Sequence, residues 1–273
     1  FLLQLLDVVS PKLLFGGEFL YQSSTSGALR KQYTLLTEML TDRFKVSSGD
    51  TVVDIGCNDG IILNTFKTEG LNTVGIEPSD LADIARGYGH HVYRDFFNRD
   101  CAKNIISKFG PVKVVTATNV FPHVDQIRDF VDGIRDLIGS HGIFVIEASY
   151  MPDFIDHTLF DTIYHEHLCY LGLTPLKHFL EPLGLEVFDI ERAAVGASGP
   201  AIRILIQQYG GHQSISSSVE NFLSFEKAWG ISKIEKYHSF ADRVREVKSN
   251  ILKLFDDFKS SQVEIGGFCA PAK

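Results

Sequence analysis

The run Tyr164-His165-Glu166-His167-Leu168-Cys169-Tyr170 gathers two histidines, a glutamate and two tyrosines within seven residues. Groups of this kind are costly to desolvate without partners, so their density argues for a shared site. A histidine and a glutamate in a partly closed cleft can be tuned towards neutral pKa values, which suits acid–base chemistry. His165-x-His167 also offers two imidazoles to a metal ion. The His-Glu-x-x-His pattern of a zinc helix is absent, however, and no third ligand stands at a recognisable interval. Two further segments carry candidate groups: His123 in Asn119-Val120-Phe121-Pro122-His123, and the hydroxyl-rich Tyr21-Gln22-Ser23-Ser24-Thr25-Ser26. The latter is weak alone, because such turns are common.

A different chemistry is written in Val52-Val53-Asp54-Ile55-Gly56-Cys57-Asn58-Asp59-Gly60 and, about twenty residues on, Val74-Gly75-Ile76-Glu77-Pro78-Ser79. A β-branched strand runs into a glycine-containing loop, and a second strand ends in an acidic residue. That arrangement suits a nucleoside: the glycines admit close backbone approach, and Glu77 can accept both ribose hydroxyls. The loop lacks the three-glycine spacing of a pyrophosphate cradle, and Asp54 and Asp59 put negative charge where phosphates would lie. A cationic, phosphate-free nucleoside fits better, and S-adenosylmethionine answers that description. The expected cofactor contacts are Asp54, Gly56, Cys57, Asn58, Asp59, Gly60, Glu77, Pro78 and Asn119, with Phe96 or Phe97 bordering the adenine.

The elements that must position these groups alternate. A helix is expected over 28–44, with Leu29, Leu36 and Leu40 on one face. Strands are expected over 51–55, 72–76, 91–94, 112–116 and 142–147, separated by helices over 60–68, 80–87, 100–108 and 126–138. Such alternation implies a parallel sheet wrapped by helices on both faces, with ligands at the carboxyl ends of the strands. Residues 149–171 read as irregular. A helix over 175–183 precedes strands 185–190 and 202–207, whose short Gly-rich connection predicts an antiparallel closing hairpin. One or two amphipathic helices are expected over 218–258. Residues 1–27 read as a loop and lid, and 263–273 as a fresh strand and glycine loop. The expected division is 1–45 lid and helix, 46–212 cofactor-binding domain, 213–262 helical segment, and 263–273 the start of a further Rossmann-like domain.

Net charge is −8 over 273 residues with no basic run, which argues against nucleic acid as the main partner. No apolar run approaches the length of a membrane span, and the apolar start lacks the flanks of a secretory signal. Cys57, Cys101, Cys169 and Cys269 form no Cys-x-x-Cys pair, which supports neither a zinc knuckle nor a disulfide framework and suggests a cytoplasmic setting.

These segments together resemble the S-adenosylmethionine-dependent sugar C-methyltransferases that act on nucleotide-activated keto-deoxysugars. The resemblance spans nearly the whole chain. It rests on Tyr21 with Ser23-Ser24-Thr25-Ser26, Asp54 to Gly60, Gly75 to Ser79, Asn119-Val120 with His123, and above all Tyr164-His165-Glu166-His167. It implies a Rossmann-like class I methyltransferase fold, an N-terminal zinc-binding module absent from these residues, and a C-terminal Rossmann-like domain beginning near Gly266-Gly267. One departure is Ala197-Ser198-Gly199-Pro200 before Arg203, where the family often has His-Gly-Gly-Ser; it affects the local substrate contacts.

The resemblance further implies a 4-keto-6-deoxy sugar nucleotide methylated at C3. His167 would be the base, Tyr164 and Glu166 would place or protonate oxygens, and Tyr21 and His123 would wall the pocket. Glu166 and His123 stand as alternative bases. The competing readings are an O- or N-methyltransferase, a non-catalytic methyltransferase-like binding module, and a metal-dependent enzyme.

Overall fold

A computed structural model describes residues 3–4, 9–17, 21–196 and 199–266. Helix α1 (Gly27–Phe44) leads to strand β1 (Thr51–Ile55), then β2 (Asn72–Ile76), α2 (Leu81–Gly87), β3 (His91–Tyr93), α3 (Arg99–Phe109), β4 (Val112–Thr118), α4 (Ile127–Ile138) and β5 (Ile143–Ser149). The chain continues through α5 (Met151–Asp156), α6 (Leu173–Leu180), β6 (Leu185–Gly196), β7 (Gly199–Gln208), α7 (Ser217–Trp229) and α8 (Ile234–Ser260). Strands β1 to β7 form one sheet in the order β3-β2-β1-β4-β5-β7-β6. The first five run parallel, and β7 inserts antiparallel between β5 and β6. This is the expected α/β architecture with its closing hairpin.

Because side chains alternate across a strand, β1 feeds two cores. Val53 and Ile55 join the layer beneath α3, α4 and α6. Val52 joins Leu29, Leu36 and Leu40 of α1 on the opposite face. A third cluster joins Met151, Phe154 and Ile155 of α5 to Tyr170 and Trp229, with Tyr237 and Phe240 of α8 against it. That cluster supports the loop carrying His167. Farther along α8, Ile251, Leu254 and Phe255 are exposed.

Several expectations change. The helix expected over 60–68 is a turn with one 3-10 segment, Leu63–Thr65. Gly60, at φ +84°, and the turn residues before it use left-handed backbone, which a helix does not tolerate. The irregular stretch after β5 contains α5, started by Pro152 in its first turn, and a two-residue strand, Cys169–Tyr170. The expected loop at the N-terminus is in part tied down: Leu3–Gln4 pairs with Cys169–Tyr170, and Gly17 bridges to Ser79. Residues 263–266 form no strand, and the rest of the expected glycine loop, 267–273, lies outside the described residues. Among the described residues no helix is long and apolar enough to cross a membrane, and no group of three or more His, Cys, Asp or Glu side chains is placed to hold a metal ion.

Candidate functional site

The site lies at the carboxyl ends of β1, β2, β4 and β5. After β1 the chain turns at Gly56, φ +68°, where a Cβ would stand 2.4 Å from Val120 Cγ2. Glycine is therefore required both by its dihedral and by the close approach of the segment after β4. The amides of Gly56 and Cys57 donate to the Ile76 carbonyl and that of Gly60 to Cys57. The glycines thus shape the loop, while those amides are bonded within the chain.

Glu77 is buried at the tip of β2. Its Oε2 accepts from the Asn58 amide at 2.9 Å, and its Oε1 from the Ser79 amide at 3.0 Å and hydroxyl at 2.6 Å. Each oxygen carries two lone pairs, so Oε2 retains acceptor capacity while its orientation is fixed. Pro78 beside it is half-buried.

Three other expected contact residues turn their side chains beneath the loop. Asp54 is fully buried and accepts from Thr116 Oγ1 at 2.6 Å, joining β1 to β4. Burial pushes its pKa up to about 7; the Thr116 bond opposes this, and nearby Glu77 adds to it. It is a floor residue and not a full negative charge at neutral pH. The Cys57 thiol is buried against Gly75 in the core, where burial raises its pKa, so only its backbone belongs to the loop. Phe97 packs edge-on against Phe130 in the core, its ring 5.1 Å away, whereas Phe96 is half-buried.

The segment before α1 is strapped onto the glycine loop. The Ser23 amide donates to Asn58 Oδ1 (2.9 Å), Asn58 Nδ2 donates to the Tyr21 carbonyl (2.8 Å), and the Ser24 amide donates to Asp59 Oδ2 (3.1 Å). Asp80 donates its amide to the Gly17 carbonyl. Hydroxyl-rich residues 21–26 are thus held against the loop by bonds from and to their backbone. Tyr21 itself is 50% exposed and is brought to the loop, near Tyr33.

His167 is the buried centre of the second half of the site. Its ring lies 4.4 Å from that of Tyr164 and 4.8 Å from that of His123. His167 Nδ1 stands 2.7 Å from the Thr162 carbonyl, and His123 Nδ1 2.6 Å from the Glu166 carbonyl. A carbonyl only accepts, so in each neutral ring Nδ1 carries the proton and Nε2 the basic lone pair. Ser149, Phe154 and Tyr170 line the cleft beside these two histidines and Asn119. Glu166 is half-buried, whereas His165 is exposed.

Sequence reasoning missed a buried network beneath the cleft. Glu147, near the end of β5, receives Gln32 Nε2 from α1 at 2.7 Å and Arg203 Nη2 from β7 at 2.7 Å. Arg203 also pairs with Glu191. Burial raises the Glu147 pKa, and Arg203 opposes that rise. The register pairing Glu147 with Arg203 is set by the hairpin, for which only the charged residues in otherwise apolar strands were a signal.

The loop fits an S-adenosylmethionine-like ligand on two observations: the glycine cradle at Gly56, and buried polar atoms without a hydrogen-bond partner among the described residues, which include Asp59 Oδ1 and Asn119 Nδ2. Comparison with known proteins agrees. A profile described as "Methyltransferase domain" matches residues 28–190, and one described as "C-methyltransferase C-terminal domain" matches 196–273. The chain is 28% identical over its full 273 residues to C-methyltransferase NovU of Streptomyces niveus, and spans 64% of that protein's length. A 59-residue stretch, 21% of the chain and 23% of the relative, is 36% identical to an uncharacterised methyltransferase of Schizosaccharomyces pombe. Among solved structures, a chain from the complex of the Haloferax volcanii Trm112 methyltransferase activator with a methyltransferase superposes with a TM-score of 0.51 at 15% identity. The match covers 68% of this chain and 93% of that one, a likeness of fold.

Proposed function

The chain belongs to the methyltransferase-domain family, with S-adenosylmethionine as its cofactor, and we propose that within that family it methylates C3 of a nucleotide-activated 4-keto-6-deoxy sugar. The match of 196–273 to a C-methyltransferase domain and the full-length similarity to NovU support carbon as the acceptor. The observation that carries the reading is the pairing of His167 Nδ1 with the Thr162 carbonyl, which leaves the basic lone pair of a buried imidazole on Nε2.

In this reading His167 Nε2 removes the proton next to the ketone. Tyr164, its ring tilted against the same imidazole, and Glu166 orient or protonate the sugar oxygens as charge develops on the enolate. His123 and Tyr21 complete the wall around the sugar. Glu77 takes the ribose hydroxyls, Phe96 borders the adenine, and the strap over Asn58 and Asp59 closes the loop on the cofactor. Bound S-adenosylmethionine supplies an electrophilic methyl group, so alignment carries much of the remaining rate. Residues 1–45 are a lid and helical segment, 46–212 the cofactor-binding domain and 213–262 a further helical segment, in a cytoplasmic enzyme.

Product analysis tests the proposal. Incubation with a thymidine diphosphate 4-keto-6-deoxy sugar should give a new C–CH3 group at C3. A methyl group found on oxygen or nitrogen would instead establish the O- or N-methyltransferase reading.

A further inference from the structure

We infer that Gln32 binds the α-ammonium group of the cofactor through its side-chain carbonyl. Gln32 lies on the inner face of α1 and is 8% exposed. Its Nε2 donates to Glu147 Oε1, while Glu147 Oε2 holds Arg203. A carboxylate paired with a guanidinium accepts and does not donate, so it fixes which end of the Gln32 amide faces it. The carbonyl is turned the other way. Gln32 Oε1 has no hydrogen-bond partner among the described residues, and a buried acceptor in that position calls for a donor.

Two more buried atoms share this condition: the acceptor Asp59 Oδ1 and the donor Asn119 Nδ2. Their places in the fold converge. Asp59 is on the loop after β1 and Asn119 follows β4. The Asn119 amide donates to the Glu147 carbonyl at 2.7 Å, which puts it beside the residue that holds Gln32. Glu77, the proposed ribose anchor, is on the other side of β1, at the end of β2. A ligand running from Glu77 across the β1 loop therefore ends among two unsatisfied acceptors and one unsatisfied donor. An α-amino acid group is complementary to that set: its ammonium has three donors and no acceptor, and its carboxylate only accepts. Sequence reading passed over Gln32 because 115 residues separate it from Glu147.

The inference rests on the nucleoside lying at Glu77, and the test separates the two. Calorimetry on the full chain would compare S-adenosylhomocysteine with 5′-methylthioadenosine, which keeps the nucleoside and lacks the amino acid end. Gln32→Met should weaken S-adenosylhomocysteine about ten- to hundredfold, as for one hydrogen bond to a charged group, and leave 5′-methylthioadenosine within about twofold. An analogue of S-adenosylhomocysteine that retains the carboxylate but lacks the ammonium should bind wild type and variant alike. Gln32→Leu gives a second variant should the first fail to fold. Equal weakening of both ligands would make Gln32 a structural support and overturn the inference, as would unchanged S-adenosylhomocysteine binding. A failure at Glu77 reads out separately, as unchanged 5′-methylthioadenosine binding in Glu77→Ala.

Discussion

His123 donates from Nδ1 to the backbone carbonyl of Glu166 at 2.6 Å, so the turn after β4 holds the loop that carries His167. The bond crosses 43 residues of sequence and is reinforced by the ring contact between the two histidines. Position thereby links a residue at the carboxyl end of the sheet to the geometry of the proposed base.

The first prediction separates positioning from proton transfer at His123. An asparagine amide can replace Nδ1–H, whereas a phenylalanine fills the space without donating. His123→Phe should lower kcat roughly 10- to 100-fold by loosening the 162–167 loop, and His123→Asn should recover most of that loss. Steady-state kinetics with both variants decides. Equal loss in the two would mean that His123 itself moves a proton.

Removing the proposed base has a different signature. His167→Ala should lower turnover by roughly 10²–10⁴-fold while S-adenosylhomocysteine binding is almost unchanged. With wild-type protein and S-adenosylhomocysteine, solvent deuterium should enter the substrate carbon next to the ketone, and in His167→Ala that exchange should vanish. Exchange that persists in the variant would shift the role to Glu166 or His123.

At the cofactor loop, Glu77→Ala should lose about 2–3 kcal/mol of cofactor affinity, as for two charge-assisted hydrogen bonds. Because the same carboxylate holds the Asn58 and Ser79 amides, the variant should also unfold at a lower temperature. Calorimetry that finds unchanged affinity alongside a lowered Tm would confine Glu77 to the loop's architecture.

What the sequence disclosed depended on how local the cause was. Strands β1 and β2 fall within the bounds expected from their β-branched runs, since buried parallel strands leave a continuous apolar signature. Thr162, which fixes the tautomer of His167, lies five residues away and was still invisible, because its contribution is a backbone carbonyl. The side-chain directions of Phe97 and Cys57 were hidden for a related reason. A position next to a loop does not say which way the side chain turns, and both turn into the core. The Gln32–Glu147–Arg203 network depends on strand register and on the docking of α1, neither of which any local pattern encodes.

The last prediction follows from Asp54, whose buried carboxyl has its pKa pushed up to about 7. An unfolded aspartate titrates near 3.9, so between about pH 4 and pH 7 the folded protein holds the proton that the unfolded chain has released. The folded state then binds more protons, and stability falls as pH rises through that window. Below about pH 4 both states are protonated and Asp54 costs nothing; above about pH 7 its cost is complete and constant. Asp54→Asn keeps a group able to bond Thr116 but carries no charge at any pH. Its Tm should therefore exceed that of wild type by several degrees at pH 8, and the difference should shrink steadily towards pH 5. Thermal unfolding of both proteins across that range measures it. A difference that grows on acidification would mean that Asp54 is an ordinary ionised carboxylate stabilised by the fold.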